Sequence, residues 1–463
     1  MKKLKEIPVK KNEEYIVEII DYGTEGEGIA KIDNFIIFVP GAMKEEKARI
    51  KIVKVLSSHA YGKLLDILEK SQNRVEEDCK TYKRCGGCKL RHINYPETLE
   101  MKQEKVQNLV NKMLKKKTTV KETIGMEKPF HYRNKLQYPL GLDKNENPIM
   151  GVFAERTHEI IPVQTCKIQN PISEQIAKYI YEYILKHHIS VYNEKIGKGV
   201  LRHIVIKIGI KTNEIMCVLV ANEKNIPTER NLVKELTTKF PNIKTIVKNY
   251  NPKNTNVILG KENTILYGDG YITDKLGEYT FKISTLSFYQ INPIQTEKLY
   301  NLGIEKADLT GNEIVLDLYC GIGTIGIFAS KKAKKVYGIE IIEQAIEDAK
   351  ENAKINHIKN IEFHVGDVEK VLGLILEKEK VKPDVIFVDP PRKGLDNTTV
   401  ENILKVKPKK IVYISCNPAT LMRDLSRMEE AYDIKEITPV DMFPYTSHVE
   451  CCALLELKNC QLF

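Results

Sequence analysis

Cys416 stands in YISCNPATL, directly after a β-favouring apolar run and directly before Asn417-Pro418. That context puts a thiol at the carboxyl end of a strand, where the chain turns. Two carboxylates hold similar places: Asp389 in VDPPRKG, braced by two prolines, and Glu450 in SHVECCALL. A glycine-rich turn precedes them. LDLYCGIGTIG sets Gly321, Gly323 and Gly326 between a strand and a helix, and Glu340 closes the next strand 19 residues after Gly321. Such a turn brings backbone N–H groups close to a ligand, and the acid accepts hydrogen bonds from both hydroxyls of a ribose. The glycine pattern alone fits a nicotinamide dinucleotide as well as any other adenosine ligand.

The remaining residues decide between them. Hydride transfer has no use for a thiol and two carboxylates around one crevice, whereas methyl transfer to a poor carbon nucleophile does. C5 of uracil is such a carbon. A thiolate adding to C6 turns C4–C5–C6 into an enolate, and C5 then takes a methyl group from the sulfonium of S-adenosylmethionine (SAM). A base removes the C5 hydrogen and the thiolate leaves. A thiol is both a good nucleophile and a good leaving group near neutral pH. Cys416 is the candidate nucleophile and Glu450 the candidate base. Asp389 suits either a contact to SAM or acceptance of the uracil N3–H, which cytosine lacks. Singly, each residue has a plainer reading: a strand cysteine packs as a small hydrophobe, and an acid on an edge strand faces water. Cys217, Cys320, Cys451, Cys452 and Cys460 read as core or incidental, and His448 as structural.

These residues need a scaffold. From residue 295 onward, apolar strands such as EIVLDLY, KVYGIEI, PDVIFV and KKIVYIS alternate with helical segments such as EQAIEDAKENAKIN. That alternation indicates a doubly wound, mostly parallel α/β sheet, whose ligands sit beyond the carboxyl ends of its strands. Residues 10–68 instead give short alternating runs split by turn residues, the pattern of a small β-barrel of the OB type. Between the two, apolar residues from Leu99 to Leu114 share one helical face, which predicts a helix over residues 97–116. The lysines at 112, 115, 116, 117 and 121 read as a solvated face. Residues 125–285 mix strands and helices, with FHYRNKLQYP and MGVFAERTHEIIPVQTC each read as a strand. The expected domains are a barrel over 1–68, a central α+β domain over 69–285 and a catalytic domain over 286–463.

The chain has 463 residues, with 72 Lys+Arg against 62 Asp+Glu and a net charge of +10. A clustered basic excess suits a polyanionic partner. The start lacks the apolar core of a signal peptide, and no run approaches the ~18 apolar residues of a membrane span. The expected location is the cytoplasm, where cysteines serve metals or catalysis more often than disulfides. Cys79, Cys85 and Cys88 lie in one Gly-Gly loop, with Cys166 78 positions after Cys88. Four thiolates suit zinc or an iron–sulfur cluster. A radical-SAM reading needs C-x3-C-x2-C, whereas the first gap here is five residues and a fourth cysteine is at hand.

In this order, LDLYCGIGTIG, VDPPRKG, YISCNPATL and SHVECC resemble the SAM-dependent RNA uracil-5-methyltransferases, above all those acting on 23S ribosomal RNA. The resemblance spans nearly the whole chain, and the N-terminal barrel looks like a TRAM domain. It implies Cys416 as nucleophile and Glu450 as base. It implies Gln290 in SFYQINP, Tyr319, Glu340 and Asp389 as SAM contacts, and Phe288 as an aromatic that stacks on bases. It also implies a closed, structural [4Fe–4S] cluster on Cys79, Cys85, Cys88 and Cys166. The expected partner is an unpaired uridine in a loop or bulge of 23S rRNA; transfer RNA is the alternative, and no protein partner is implied. A non-enzymatic RNA-binding protein would leave Asp389, Cys416 and Glu450 without a role.

Overall fold

The computed structural model describes residues 7–378 and 381–458; Cys460 lies outside them. At the N-terminus, strands Glu14–Tyr22, Gly28–Ile32, Phe35–Val39, Lys47–Val55 and His59–Glu69 form a closed barrel. Strand alternation explains its core: Val17 and Ile19 point inward and are buried, while their neighbours Ile16 and Ile20 face out. Closure leaves no free sheet edge, because Glu14–Tyr22 pairs with both Gly28–Ile32 and Lys47–Val55.

The central region holds a seven-stranded sheet. Its strands Leu201–Ile208 and Ile215–Ala221 are buried at every position. Helices Pro171–Lys186 and Glu229–Lys239 cover one face, on Ile204 and Ile206. The hairpin Tyr271–Leu276 and Tyr279–Ser284 covers the other, where Ile272 and Ile283 meet Val205 and Val218. The segment MGVFAERTHEIIPVQTC, read as one strand, is two: Pro148–Phe153 and Ile160–Pro162 pair antiparallel across a turn.

The C-terminal sheet has eight strands. Ile361–Val365, Lys335–Glu340, Ile314–Leu318, Val385–Val388 and Lys410–Ser415 lie side by side and parallel. Glu450–Leu457 follows antiparallel to Lys410–Ser415, and Tyr432–Val440 pairs with it in turn. The order reverses between Ile314–Leu318 and Val385–Val388, so a crevice opens at the carboxyl ends of these two strands. The eighth strand, Thr119–Val120, comes from far upstream and pairs parallel with Tyr432–Val440.

Helix Tyr95–Met113 precedes that strand. It begins earlier than its apolar face suggests, because the Asn94 side chain accepts the Glu97 N–H at 2.9 Å. Its Val106 and Val110 join the apolar core of the C-terminal sheet. Three of the lysines beyond it are exposed and paired with this chain's own acids: Lys115 with Glu430, Lys116 with Asp433 and Lys121 with Glu436.

Candidate active site

Strand ends position Tyr319, Glu340, Asp389, Cys416 and Glu450. Ser415 pairs with Cys451 across the two antiparallel strands, and Cys416 and Glu450 are the next residues outward. Helix Pro418–Met428 starts at once, since the Asn417 side chain accepts the Ala419 N–H at 3.1 Å and proline suits a first helical turn. Asn417 Nδ2 also donates to the Arg392 carbonyl at 3.1 Å, and Thr420 Oγ1 does so at 3.2 Å. The turn after Asp389 is thereby tied to the turn that bears the thiol.

The three acidic groups disfavour one another's charge. Glu450 is buried, at 4% exposure. Burial first, then Asp389, pushes its carboxyl pKa up to about 8, against the pull of Arg392. Burial pushes Asp389 up to about 7. The half-buried Cys416 thiol is pushed up to about 11, by burial first and then by Glu450 and Asp389; Arg392 again opposes. The balance in this recess favours the protonated over the charged form of the Cys416 thiol and the Glu450 carboxyl. Arg392 is the cation that favours ionisation of both Cys416 and Glu450. Sequence reasoning gave it no role, although a cation fixed by the Pro-Pro turn beside Asp389 was there to be read.

The glycine turn lies on the other side of Asp389. Gly321 and Gly323 take φ of +55° and +80°, and Tyr319 takes +66°, which is uncommon for a residue with a Cβ. A Cβ on Gly323 would stand 2.8 Å from the Phe363 ring. The Glu340 carboxylate accepts the N–H of Gly321 at 3.3 Å and of Ile342 at 3.0 Å, so the acid sits beside the turn. Ile341 and Ile342, just beyond it, are 61% and 60% exposed, leaving apolar surface next to the ribose-type acid. Buried Asp317 accepts the Gly326 N–H at 2.7 Å, and its Oδ1 has no partner. The Gln290 carbonyl accepts Asn134 Nδ2 at 2.9 Å. The charge of Asp389 acts on Tyr300 and Asp317 here, and on Cys416 and Glu450 there. The structure therefore brings Gln290, Glu340, Asp389, Cys416 and Glu450 around one crevice. Phe288, 70% exposed, lies in the segment just before Gln290. A cleft of about 550 Å³ is lined by Glu25 of the barrel, Cys85 and Lys89 of the cysteine loop, Phe153, Arg156 and His448 among others.

The four cysteines share a second neighbourhood. The charges of Cys166, Cys85 and Cys79 all act on Cys88, whose thiol burial pushes up to about 12. The Gly87 N–H points to Cys85 Sγ at 3.3 Å, and Cys88 and Cys166 pack against Met126, Tyr132 and Ile168. Four mutually near thiols with an N–H donor suit a soft metal group. As placed, however, no group of three or more His, Cys, Asp or Glu among the described residues forms a ready site for a metal ion.

A five-strand parallel array with its order reversed at a glycine turn, completed by an antiparallel pair, is the sheet of a SAM-dependent methyltransferase, and this is the class of the protein. A model of the family described as tRNA (uracil-5-)-methyltransferase matches residues 94–458, and a TRAM domain model matches residues 8–65. The chain belongs to that RNA uracil-5-methyltransferase family. An uncharacterized RNA methyltransferase of Clostridium acetobutylicum is 50% identical over 98% of this chain and 99% of its own length. One from Staphylococcus aureus is 46% identical over 97% and 99%. Among solved structures, the Pyrococcus abyssi tRNA (uracil-54, C5)-methyltransferase in complex with S-adenosyl-L-homocysteine matches with a TM-score of 0.77. It is 29% identical, and the match covers 95% of this chain and 100% of that one. The protein is an RNA methyltransferase that uses SAM. No described helix is long and apolar enough to cross a membrane.

Proposed function

We propose that the protein methylates C5 of a uridine in 23S rRNA through a covalent bond between Cys416 Sγ and C6. The observation that supports the chemistry is the strand register: Ser415 pairs with Cys451, and Cys416 and Glu450 come next at the same end of the two strands. SAM, when bound, supplies an electrophilic methyl group. Gln290, Tyr319, Glu340 and Asp389 hold it in this reading. The Cys416 thiol gives up its proton to solvent, and Sγ adds to C6 while electrons move onto O4. C5, now an enolate carbon, takes the methyl group. Glu450 then removes the C5 proton, the C5–C6 double bond re-forms and Cys416 departs as thiolate. A carboxylate whose pKa is raised by burial is the stronger base, as removal of a carbon-bound proton requires. Arg392 offsets the negative charge that passes between the thiolate and the carboxylate.

Cys79, Cys85, Cys88 and Cys166 are the residues that hold a [4Fe–4S] cluster in this reading, supported by their shared neighbourhood and by the chemistry of four thiolates. The ribosomal target rests on the resemblance of the motifs. A second reading, transfer RNA, is favoured by the Pyrococcus abyssi enzyme, whose match spans the barrel as well. The barrel therefore does not separate the two targets.

RNA carrying 5-fluorouridine tests the chemistry, since fluorine at C5 cannot be removed as a proton. Wild-type protein with SAM should form an adduct that survives denaturing electrophoresis, and Cys416→Ala should form none while still binding SAM. An adduct with Cys416→Ala overturns the assignment.

A further inference from the structure

Glu450 opens its strand, so the chain that delivers it is the segment from Asp441 to Val449. That segment has no helix or strand of its own. Backbone groups outside such ladders must find other partners, and here the carbonyls find them one after another. Asp441 O accepts Gln295 Nε2 at 3.2 Å. Met442 O accepts Asn292 Nδ2 at 3.0 Å. Phe443 O accepts Lys102 Nζ at 3.3 Å, and Pro444 O accepts the Tyr132 hydroxyl at 3.2 Å. Tyr445 O takes two backbone N–H groups of the cysteine loop, Lys89 at 2.9 Å and Leu90 at 3.0 Å. Ser447 O takes Lys105 Nζ at 2.9 Å.

None of these donors belongs to the C-terminal sheet. The segment also bends where Tyr445 adopts φ of +64°, a strained conformation for tyrosine that persists only when its surroundings enforce it. Arg91 supplies part of that enforcement, its guanidinium 4.7 Å from the centre of the Tyr445 ring. Lys102 and Asp441 are both fully buried and meet at 2.5 Å; the Tyr95 hydroxyl donates to the other Asp441 oxygen at 2.8 Å. Lys105 does not stop at Ser447: it also donates to the Thr24 carbonyl of the barrel at 2.7 Å. Two lysines one helical turn apart thus grip the segment at Asp441–Phe443 and at Ser447, and one of them ties it to the barrel. A buried ion pair is poor evidence of stabilisation for its own sake, since apolar residues of the same volume often do as well. What the lysines do achieve is one fixed path for the backbone that ends at Glu450, and proton removal from carbon tolerates little displacement of the base.

We propose that Lys102 and Lys105 are positioning residues for Glu450, acting through the carbonyls of Phe443 and Ser447. The inference rests on Glu450 being the base that resolves the covalent adduct. Neither lysine needs to touch the RNA or SAM, so the step that depends on them is the last one. Loss of the grip should slow release of the methylated adduct more than its formation.

The test uses the full-length protein and an RNA containing the target uridine. Lys105→Met keeps the aliphatic stem and removes the donor; Lys105→Arg keeps two donors for the two carbonyls; Tyr132→Phe removes a separate donor to the same segment. Lys105→Met should bind SAM with unchanged affinity by calorimetry and form adduct at close to the wild-type rate. It should release product at least about tenfold more slowly, so that methylated adduct accumulates on denaturing gels. Tyr132→Phe should show the same accumulation to a lesser degree, and Lys105→Arg should restore release. Unchanged release in both Lys105→Met and Tyr132→Phe overturns the inference, as does an equal slowing of formation and release. Absence of adduct from the wild type, even on 5-fluorouridine RNA, overturns the covalent reading beneath it, which is a different result.

Discussion

Cys416 and Glu450 are the residues next outward from the Ser415–Cys451 pair on neighbouring antiparallel strands. The carboxylate raises the thiol's pKa, and Asp389 raises both. Burial, Glu450 and Asp389 all favour the protonated form of the Cys416 thiol. Placing a base with a raised pKa beside that thiol suits the last step of the proposed chemistry, in which the carboxylate takes up the C5 proton and its negative charge reappears on the departing sulfur.

The raised Glu450 pKa carries a stability signature. Unfolded, the carboxyl has its ordinary pKa near 4.5; folded, it is pushed up to about 8. Between these values the folded state holds a proton that the unfolded state has lost, so this group's contribution falls as pH rises through that window. Glu450→Gln cannot ionise and escapes the loss. Thermal melting should show the variant gaining on the wild type from pH 5 to pH 9, by up to about 4 kcal/mol. A constant difference across that range would mean that Glu450 ionises normally. In turnover the same variant should lose about 10²–10⁴-fold, the usual worth of a positioned base.

The glycine turn gives a second prediction. Gly323→Ala places a Cβ 2.8 Å from the Phe363 ring at φ of +80°. The left-handed conformation alone costs about 1–2 kcal/mol with a side chain, and the clash displaces the turn. SAM affinity by calorimetry should fall at least about tenfold, while the barrel and central sheet keep their fold by circular dichroism. Unchanged affinity would remove this turn from the SAM site.

Lys207 gives a third. It is buried, and its ammonium donates to the carbonyls of Ser284 at 2.9 Å, Thr285 at 2.9 Å and Ser287 at 3.2 Å. Those residues lead into Phe288 and Gln290. Lys207→Met leaves three carbonyls without their donor, a loss of roughly 1–3 kcal/mol for each left unsatisfied. We expect lower thermal stability, weaker SAM binding through Gln290 and weaker RNA binding through Phe288. Stability loss with both affinities intact would confine Lys207 to a structural role.

The sequence made the C-terminal sheet readable because its strands are continuous apolar runs and its ligand positions end in glycine, proline or an acid. The central sheet was less readable for a related reason. Leu201–Ile208 and Ile215–Ala221 are covered on both faces, so they lack the alternation that marks a half-exposed strand, and helices could not be told from strands there. Thr119–Val120 was beyond reach, since two residues carry no periodicity and their partner strand lies more than 300 positions away. Arg392 and the grip on Asp441–Ser447 were hidden differently: carbonyl acceptors have no residue type, so no motif spells them.

The cysteine group yields a fourth prediction. Protein purified without oxygen should be brown and contain about four irons per chain, the count of a four-cysteine cubane. Cys166 lies beyond strand Ile160–Pro162 of the central sheet, and the other three lie in the loop before helix Tyr95–Met113. Cys166→Ser should bleach the protein and raise the proteolytic sensitivity of both segments. Stoichiometric zinc without iron would replace the cluster by a zinc site.

The last prediction concerns the target. The thiol must reach C6, and a base stacked inside a helix does not offer that atom. Removing a base from its stack costs a few kcal/mol, least in unpaired RNA. Phe288, 70% exposed beside Gln290, can offset that cost by stacking, which contributes about 1–3 kcal/mol per base. The chain's net charge of +10 favours a polyanionic partner, so binding should weaken with added salt. Labelled SAM should be incubated with deproteinised 23S rRNA and with total tRNA, both from cells lacking the gene. We expect label at C5 of a uridine in a 23S rRNA loop or bulge, and a large loss of labelling with Phe288→Ala at unchanged SAM affinity. Label confined to tRNA would transfer the target to that RNA and leave the Cys416 chemistry intact. Label in neither, with SAM bound, would refute both substrates at once.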